Sequence, residues 1–203
     1  MSSIASIEDN RKTSDNSPLI ENKYYSNNKE KKILKKSDFE KKKKKDIVII
    51  ELIYKILKEI IEDNKNEFSN NCNSSMITKT VFYMKNLPNM KFIDYIKRIN
   101  KYLKPESSSL ILALIYIDRI CSEKENNVIL IDNNIFKLFL IALTLAIKYN
   151  EDFYDDNAYF AKVGGIDLKE INIIEKEFLN LIDFRLFVSD DIFNKYKTYL
   201  LDY

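Results

Sequence analysis

Residues 135–147 constrain the fold of this chain more than any other stretch. They are apolar at every position except Lys137 and Thr144. A helix with no polar stripe has to be surrounded by other elements. The run falls short of the about 18 apolar residues that span a bilayer and carries Lys137 inside it. The other long apolar run, 110–117, ends in Asp118-Arg119 and is also too short. Both are expected as buried helices of a soluble protein. Ala142 and Ala146, one turn apart, would let a neighbouring helix approach closely.

Composition narrows the function. The chain has 203 residues, enough for one domain with a real core, and 45% of them are hydrophobic against 32% charged. Histidine is absent. That removes histidine-based acid–base chemistry, the serine and cysteine nucleophile systems that need it, and histidine metal ligands. Cys72 and Cys121 are far apart and outside any CxxC spacing, so neither a zinc site nor a disulfide framework is expected, and a reducing compartment fits. The two glycines, Gly164 and Gly165, are neighbours and cannot form a glycine-rich phosphate loop. Two glycines and three prolines argue against a turn-rich β fold. A net charge of +2 supplies no global field for nucleic acid or acidic lipid. The cluster Glu151, Asp152, Asp155, Asp156 lacks the glycine of a calcium loop and is expected as a solvated loop. No cofactor, metal or small-molecule substrate is expected.

Along the chain, 1–45 is polar, lacks hydrophobic periodicity and is expected to be a disordered tail ending in the lysine run 41–45. That run is a solvated charge block or a nuclear import signal. The opening ten residues carry no apolar segment of the kind a secretory signal has, so the nucleus, the cytoplasm or both are expected as location. Residues 46–79 hold one amphipathic helix, from Asp46 to about Ile61, and an Asn-rich loop. Residues 80–203 form the main domain. Thr80 to Met84 is a short apolar patch of irregular form. Helices follow over 90–103, from Pro105 to about Cys121, from a cap at Asp132 or Asn133 to about Tyr149, and over 157–162. Gly164-Gly165 ends the fourth. Asp167, with Glu170 as capping-box partner, opens a fifth that reaches about Asp183, and Asp190 or Asp191 caps a last helix to Leu201. The fold class is all-α: five helices around a central third, with flanking N- and C-terminal helices.

Tyr116-Ile117-Asp118-Arg119-Ile120 and Ala146-Ile147-Lys148-Tyr149-Asn150-Glu151-Asp152, at the ends of the second and third helices, resemble the cyclin box. Asp94-Tyr95-Ile96-Lys97-Arg98-Ile99, Asn157-Ala158-Tyr159-Phe160-Ala161-Lys162-Val163-Gly164-Gly165 and Glu170-Ile171-Asn172 are similar to its P-type, or phosphate-pathway, branch, in which a single box is normal. The resemblance covers about residues 80–200. It implies a non-catalytic regulatory subunit, partner in a heterodimer to a cyclin-dependent protein serine/threonine kinase of cell-cycle or nutrient signalling. Such a subunit pushes the kinase C-helix inward so that the catalytic Lys–Glu pair forms. It also implies a kinase-binding face from the third and fifth helices, where Lys148 and Glu175 match the interface charges and Leu145, Tyr149, Leu179, Phe184 and Leu186 match the apolar contacts. Asp118 sits in an apolar helix and needs a cationic or hydrogen-bonding partner. Many cyclins supply an Arg where this chain has Asn89, which leaves Arg98 as the expected partner in a structural buried ion pair. The apolar docking patch of mitotic cyclins is not reproduced around Asn89-Met90-Lys91 and Tyr95.

Two other readings stay open at this level. One is a cyclin-fold DNA-binding module, which would need a basic stripe on folded helices; the only basic block lies in the tail, so nucleic acid is disfavoured. The other is an adaptor that kept the fold without activating a kinase.

Overall fold

The computed structural model describes residues 46–66, 80–123, 126 and 128–203. The 1–45 tail, its lysine run and most of the Asn-rich loop lie outside the described residues. Seven helices are described and no strand accompanies them: α1 (46–66), α2 (Phe92–Leu103), α3 (Ser107–Ser122), α4 (Ile135–Asn150), α5 (Asn157–Gly164), α6 (Leu168–Leu181) and α7 (Asp190–Asp202). Every residue of α4 from Ile135 to Ile147 is buried. The helix packs most extensively on α3, with α2, α5 and α6 also against it. Ala142 and Ala146 are fully buried, as close helix approach requires.

Lys137 is buried inside α4 and is fully partnered. Its Nζ pairs with Glu170 Oε1 at 2.7 Å. It also donates to the carbonyls of Val81 (3.1 Å) and Tyr83 (3.3 Å). A buried ammonium persists only with such compensation. These bonds hold the irregular 80–84 segment over the core, where Phe82 is wholly buried edge-on against Phe178.

Several helix ends differ from the sequence expectation, in part because side chains found tertiary partners. α1 runs a turn beyond Ile61. The added turn carries Asn64, which donates to the Leu130 carbonyl, and Lys65, which pairs with Asp132 at 2.6 Å. Asp132 therefore does not cap α4. The N-cap is Asn134, whose buried amide closes the preceding turn instead, accepting from Ile131 N–H and donating to the Ile129 carbonyl. α3 begins at Ser107, past Pro105, with Lys104 in the left-handed region closing α2. Only half of the capping box on α6 forms: Asp167 accepts from Glu170 N–H at 2.7 Å, while the Glu170 carboxylate is committed to Lys137. Ser189 takes the cap position of α7, and Asp190 and Asp191 lie in its first turn, where the helix dipole favours them.

The glycine pair does two jobs. Gly165 adopts φ 76° and ends α5 as expected. Gly164 is a close-packing position: a Cβ there would stand 2.3 Å from Leu140 Cδ2 in α4. Gly164→Ala should destabilise the protein by about 1–3 kcal/mol through overpacking. Leu140→Ala alone should cost about 2–5 kcal/mol. The double variant should be more stable than the sum of the two losses predicts, because the smaller side chain makes room for the added methyl. Strict additivity in urea unfolding would show that the close approach is not limiting.

Candidate functional site

Lys148, in the last turn of α4, and Glu175, in α6, meet with Nζ and Oε1 2.5 Å apart. Their side chains retain 24% and 17% exposure, so the pair is half-buried rather than solvated. The second carboxylate oxygen, Oε2, accepts from Asn157 Nδ2 at 2.7 Å, and Asn157 also donates to Asn172 Oδ1. One network thus ties the end of α4 to the first residue of α5 and the middle of α6. Asn157 Oδ1 is buried without a partner beside it.

The apolar residues grouped with this pair separate in the structure. Tyr149 (53%), the residue after Lys148, and Phe184 (66%), in the turn that follows α6, are exposed. Leu179 and Leu186 are half-buried and packed against the core. Leu145 is 3% exposed and belongs to the core, because its turn of α4 is enclosed on all sides. It offers no accessible surface at this site.

The segment after α6 is shaped by two residues of α3. Tyr116 Oη donates to the Leu186 carbonyl at 2.8 Å. Arg119 donates to the carbonyls of Arg185 (2.6 Å) and Phe187 (3.1 Å). With three successive carbonyls held inward, Phe184 and Phe187 remain on the outside at 66% and 70% exposure. Asp183 and Phe184 both sit at φ 54°, a conformation that costs non-glycine residues energy and marks this turn as held by its surroundings.

Asp118 does not pair with Arg98. It is exposed and accepts from Tyr196 Oη of α7 at 2.5 Å. Arg98 lies on another face, where its Nη2 donates to the Lys162 carbonyl at 3.4 Å. The buried ion pair expected from the apolar run was misplaced because Asp118 lies on the outward face of α3, although Ile117 and Ile120 on either side of it are buried. The acidic loop is also less free than expected. Glu151 accepts from Ser109 Oγ (2.6 Å) and from the backbone N–H of Glu106 (2.9 Å) at the start of α3. Asp156 caps α5 by accepting from Tyr159 N–H. Among the described residues no group of three or more acidic, Cys or His residues is gathered to hold a metal ion, and no helix is long and apolar enough to cross a membrane.

Three exposed aromatics escaped the sequence reading: Phe153 (91%) and Tyr154 (58%) just after α4, and Phe187. Their signal was present, since Phe153-Tyr154 interrupts an acidic loop that has no need of aromatics. Burial pushes the Cys121 thiol up to about 12, with the nearby Asp118 charge adding to it, which leaves this cysteine unreactive.

The family model described as Cyclin matches residues 3–186. The chain is 33% identical over 153 residues to Cyclin-U2-1 of Arabidopsis thaliana, covering 74% of this chain and 68% of that one. It is 32% identical over 169 residues to PHO85 cyclin-7 of Saccharomyces cerevisiae, covering 75% and 59%. It is 34% identical over 123 residues to the PHO85 cyclin-like protein psl1 of Schizosaccharomyces pombe, covering 61% and 51%. An all-helical box wrapped around one central helix, with these relatives, defines the class: the chain belongs to the cyclin family. Its relatives are those of the P-type branch.

Burial, and then the Asp118 hydrogen bond and charge, push the Tyr196 phenol up to about 12 from an ordinary 10.0. The folded state holds this proton more tightly than the unfolded one. The contribution is therefore complete below about pH 10 and lost as pH rises toward 12. Tyr196→Phe should cost about 0.5–1.5 kcal/mol at neutral pH. In urea unfolding at stepped pH, its deficit against the wild type should stay flat to about pH 10 and shrink above it. A deficit that widens above that point would contradict the assignment.

Proposed function

We propose that the chain is the regulatory subunit of a cyclin-dependent protein serine/threonine kinase, which it binds and activates as a heterodimer. The observation that carries this reading is the Lys148–Glu175 pair, which stands half-exposed where α4 emerges from the core, next in sequence to the exposed Tyr149. A fixed polar centre next to an exposed aromatic side chain suits a protein interface. Both carboxylate oxygens of Glu175 are occupied, while Lys148 has spent one of its three N–H donors. The site therefore offers donors, suited to backbone carbonyls at a helix end of the partner.

A rigid wedge of this kind acts by holding the kinase C-helix in its inward position, where the catalytic Lys–Glu pair forms. The role given to this chain is regulatory. The names of two relatives pair them with PHO85, and a kinase of that type is the partner proposed here. A DNA-binding role finds less support: the cations of the described helices are spread over several elements, many of them paired with carboxylates, rather than aligned in one stripe.

Lys148→Ala should lower the melting temperature only slightly, since a partly exposed pair contributes about 1 kcal/mol or less. Glu175→Ala should cost somewhat more, because it also strips Asn157 of an acceptor. Both should weaken kinase binding roughly 30-fold or more, the consequence of about 2–5 kcal/mol lost when one member of a desolvated pair is truncated. Affinity purification with a kinase assay on the recovered complex, alongside thermal unfolding of the free variants, measures both effects. A folded variant that activates the kinase with wild-type affinity would remove the pair from the interface.

A further inference from the structure

A groove of about 750 Å³ runs between α2 and α5. Lys97, Arg98 and Lys101 line it from α2, Lys162 from α5, and the rings of Tyr102 and Tyr159 flank them. Asp94 is the single carboxylate in the lining. Among the described residues none of the four cations lies within ion-pair distance of a carboxylate, whereas Lys58, Lys65, Lys137, Lys148 and Arg185 each have one. Lys97 and Lys101 stand at i and i+4, where like charges repel. Lys162 brings a further positive charge to them from another helix. Four cations against one carboxylate in a concave site leave a net positive charge that raises the local concentration of anions.

The groove is also built. Arg98 is half-buried and anchored by one bond to the Lys162 carbonyl, in the C-terminal turn of α5 where the helix dipole favours a cation. Its other guanidinium donors have no protein acceptor among the described residues. Tyr159 Oη donates to the Tyr102 carbonyl at 3.2 Å and joins the end of α2 to α5. The Tyr102 ring keeps 50% exposure, with Lys101 Nζ 5.3 Å from its centroid.

We infer that this groove binds a phosphorylated segment of a partner protein, with a phosphoserine or phosphothreonine seated between Arg98, Lys97 and Lys162. A phosphate monoester carries close to two charges and three acceptor oxygens, which can be shared between an arginine fork and lysines on two helices. A single carboxylate cannot span them. The volume exceeds what one free phosphate fills, and the flanking tyrosines supply surface for the residues on either side. Nucleic acid is the poorer match, since it needs cations that track several successive phosphates rather than one cluster. The inference stands apart from the kinase reading. Lys162 and Asn157 lie at opposite ends of α5, so the groove and the Lys148–Glu175 network can be occupied together.

The test uses the full-length protein and a set of fluorescent peptides with one central phosphoserine or phosphothreonine flanked by randomised residues, together with the same set unphosphorylated. Fluorescence anisotropy should show binding that depends on the phosphate. Arg98→Gln should weaken it roughly tenfold or more, the loss expected for a charge-assisted bond. Because Arg98 also bonds the α5 backbone, the double variant Lys97→Gln, Lys162→Gln provides the second measurement. Both lysines are exposed and make no internal ion pair, so its melting temperature should equal or slightly exceed that of the wild type while phosphopeptide binding falls by a similar factor. Equal binding of the two peptide sets would overturn the inference, as would full affinity in the folded double variant. Displacement by inorganic phosphate at the same concentration as phosphopeptide would reduce the groove to a free-anion site. Tighter binding of a single-stranded oligonucleotide through the same residues would replace the proposed partner class.

Discussion

Complete burial of α4 leaves only its two ends available for anything but packing, and both ends carry a lysine with a carboxylate partner on α6. At the N-terminal end Lys137 is enclosed, bonded to Glu170 and to two carbonyls of the 80–84 segment. At the C-terminal end Lys148 reaches Glu175 at the rim. The two pairs fix the register of α6 along α4 at two points. They differ in what remains unspent. Lys137 has acceptors for all three of its N–H groups; Lys148 has one, and faces outward. The same residue type is structural at one end and available at the other because enclosure differs, not because the local sequence does.

The motif on α3 acts in a similar way. Tyr116 and Arg119 touch no proposed partner directly. They hold carbonyls of residues 185–187 and so determine which side chains of that segment face out. Without those bonds the turn at Asp183 and Phe184, with φ 54° at both, would have little to keep it there. Asp118, between them, turns to α7 through Tyr196. Three neighbouring motif residues thus organise two different elements, and the exposed Phe184 and Phe187 are the product of backbone bonding from beneath. The cost of exposing two aromatic rings is sustained by that bonding.

The all-helical architecture was legible because its causes are local. Periodicity marks α2, α6 and α7, the continuous apolar run marks α4, and Gly165 marks the end of α5. Lys148 and Glu175 were found by resemblance, and the structure brings them together. What was not legible depended on partner choice across the fold. Glu170 could cap its own helix or pair with Lys137, and the buried ammonium wins because leaving it unpaired costs more than half a capping box. Glu151 reads as part of an acidic loop, yet it closes the start of α3. Leu145 and Tyr149 look equally apolar, and only the position at which α4 emerges from its neighbours separates core from surface. Asp118 was assigned a buried partner because it follows an apolar run; the helix is still enclosed at Ile120, but Asp118 points to its outer face.

α5 shows why the choice of variant matters at both surfaces. A helix of 8 residues has little stability of its own. Its order is imported: an aspartate cap at Asp156, a left-handed close at Gly165, the Gly164 carbonyl accepting from Tyr95 Oη at 3.1 Å, Tyr159 bonded to α2 and Asn157 bonded to α6. Removing any of these contacts disturbs the helix as a unit and moves both of its ends. Loss of binding after Asn157, Tyr159 or Gly164 is changed would therefore not distinguish a contact residue from a strut. The tips are different. Lys97 and Lys162 are exposed and make no internal ion pair, and Lys148 gives up one partly exposed pair. Truncating them changes what the surface offers while leaving the contacts that order α5 in place, so function measured on those variants reads the surface itself.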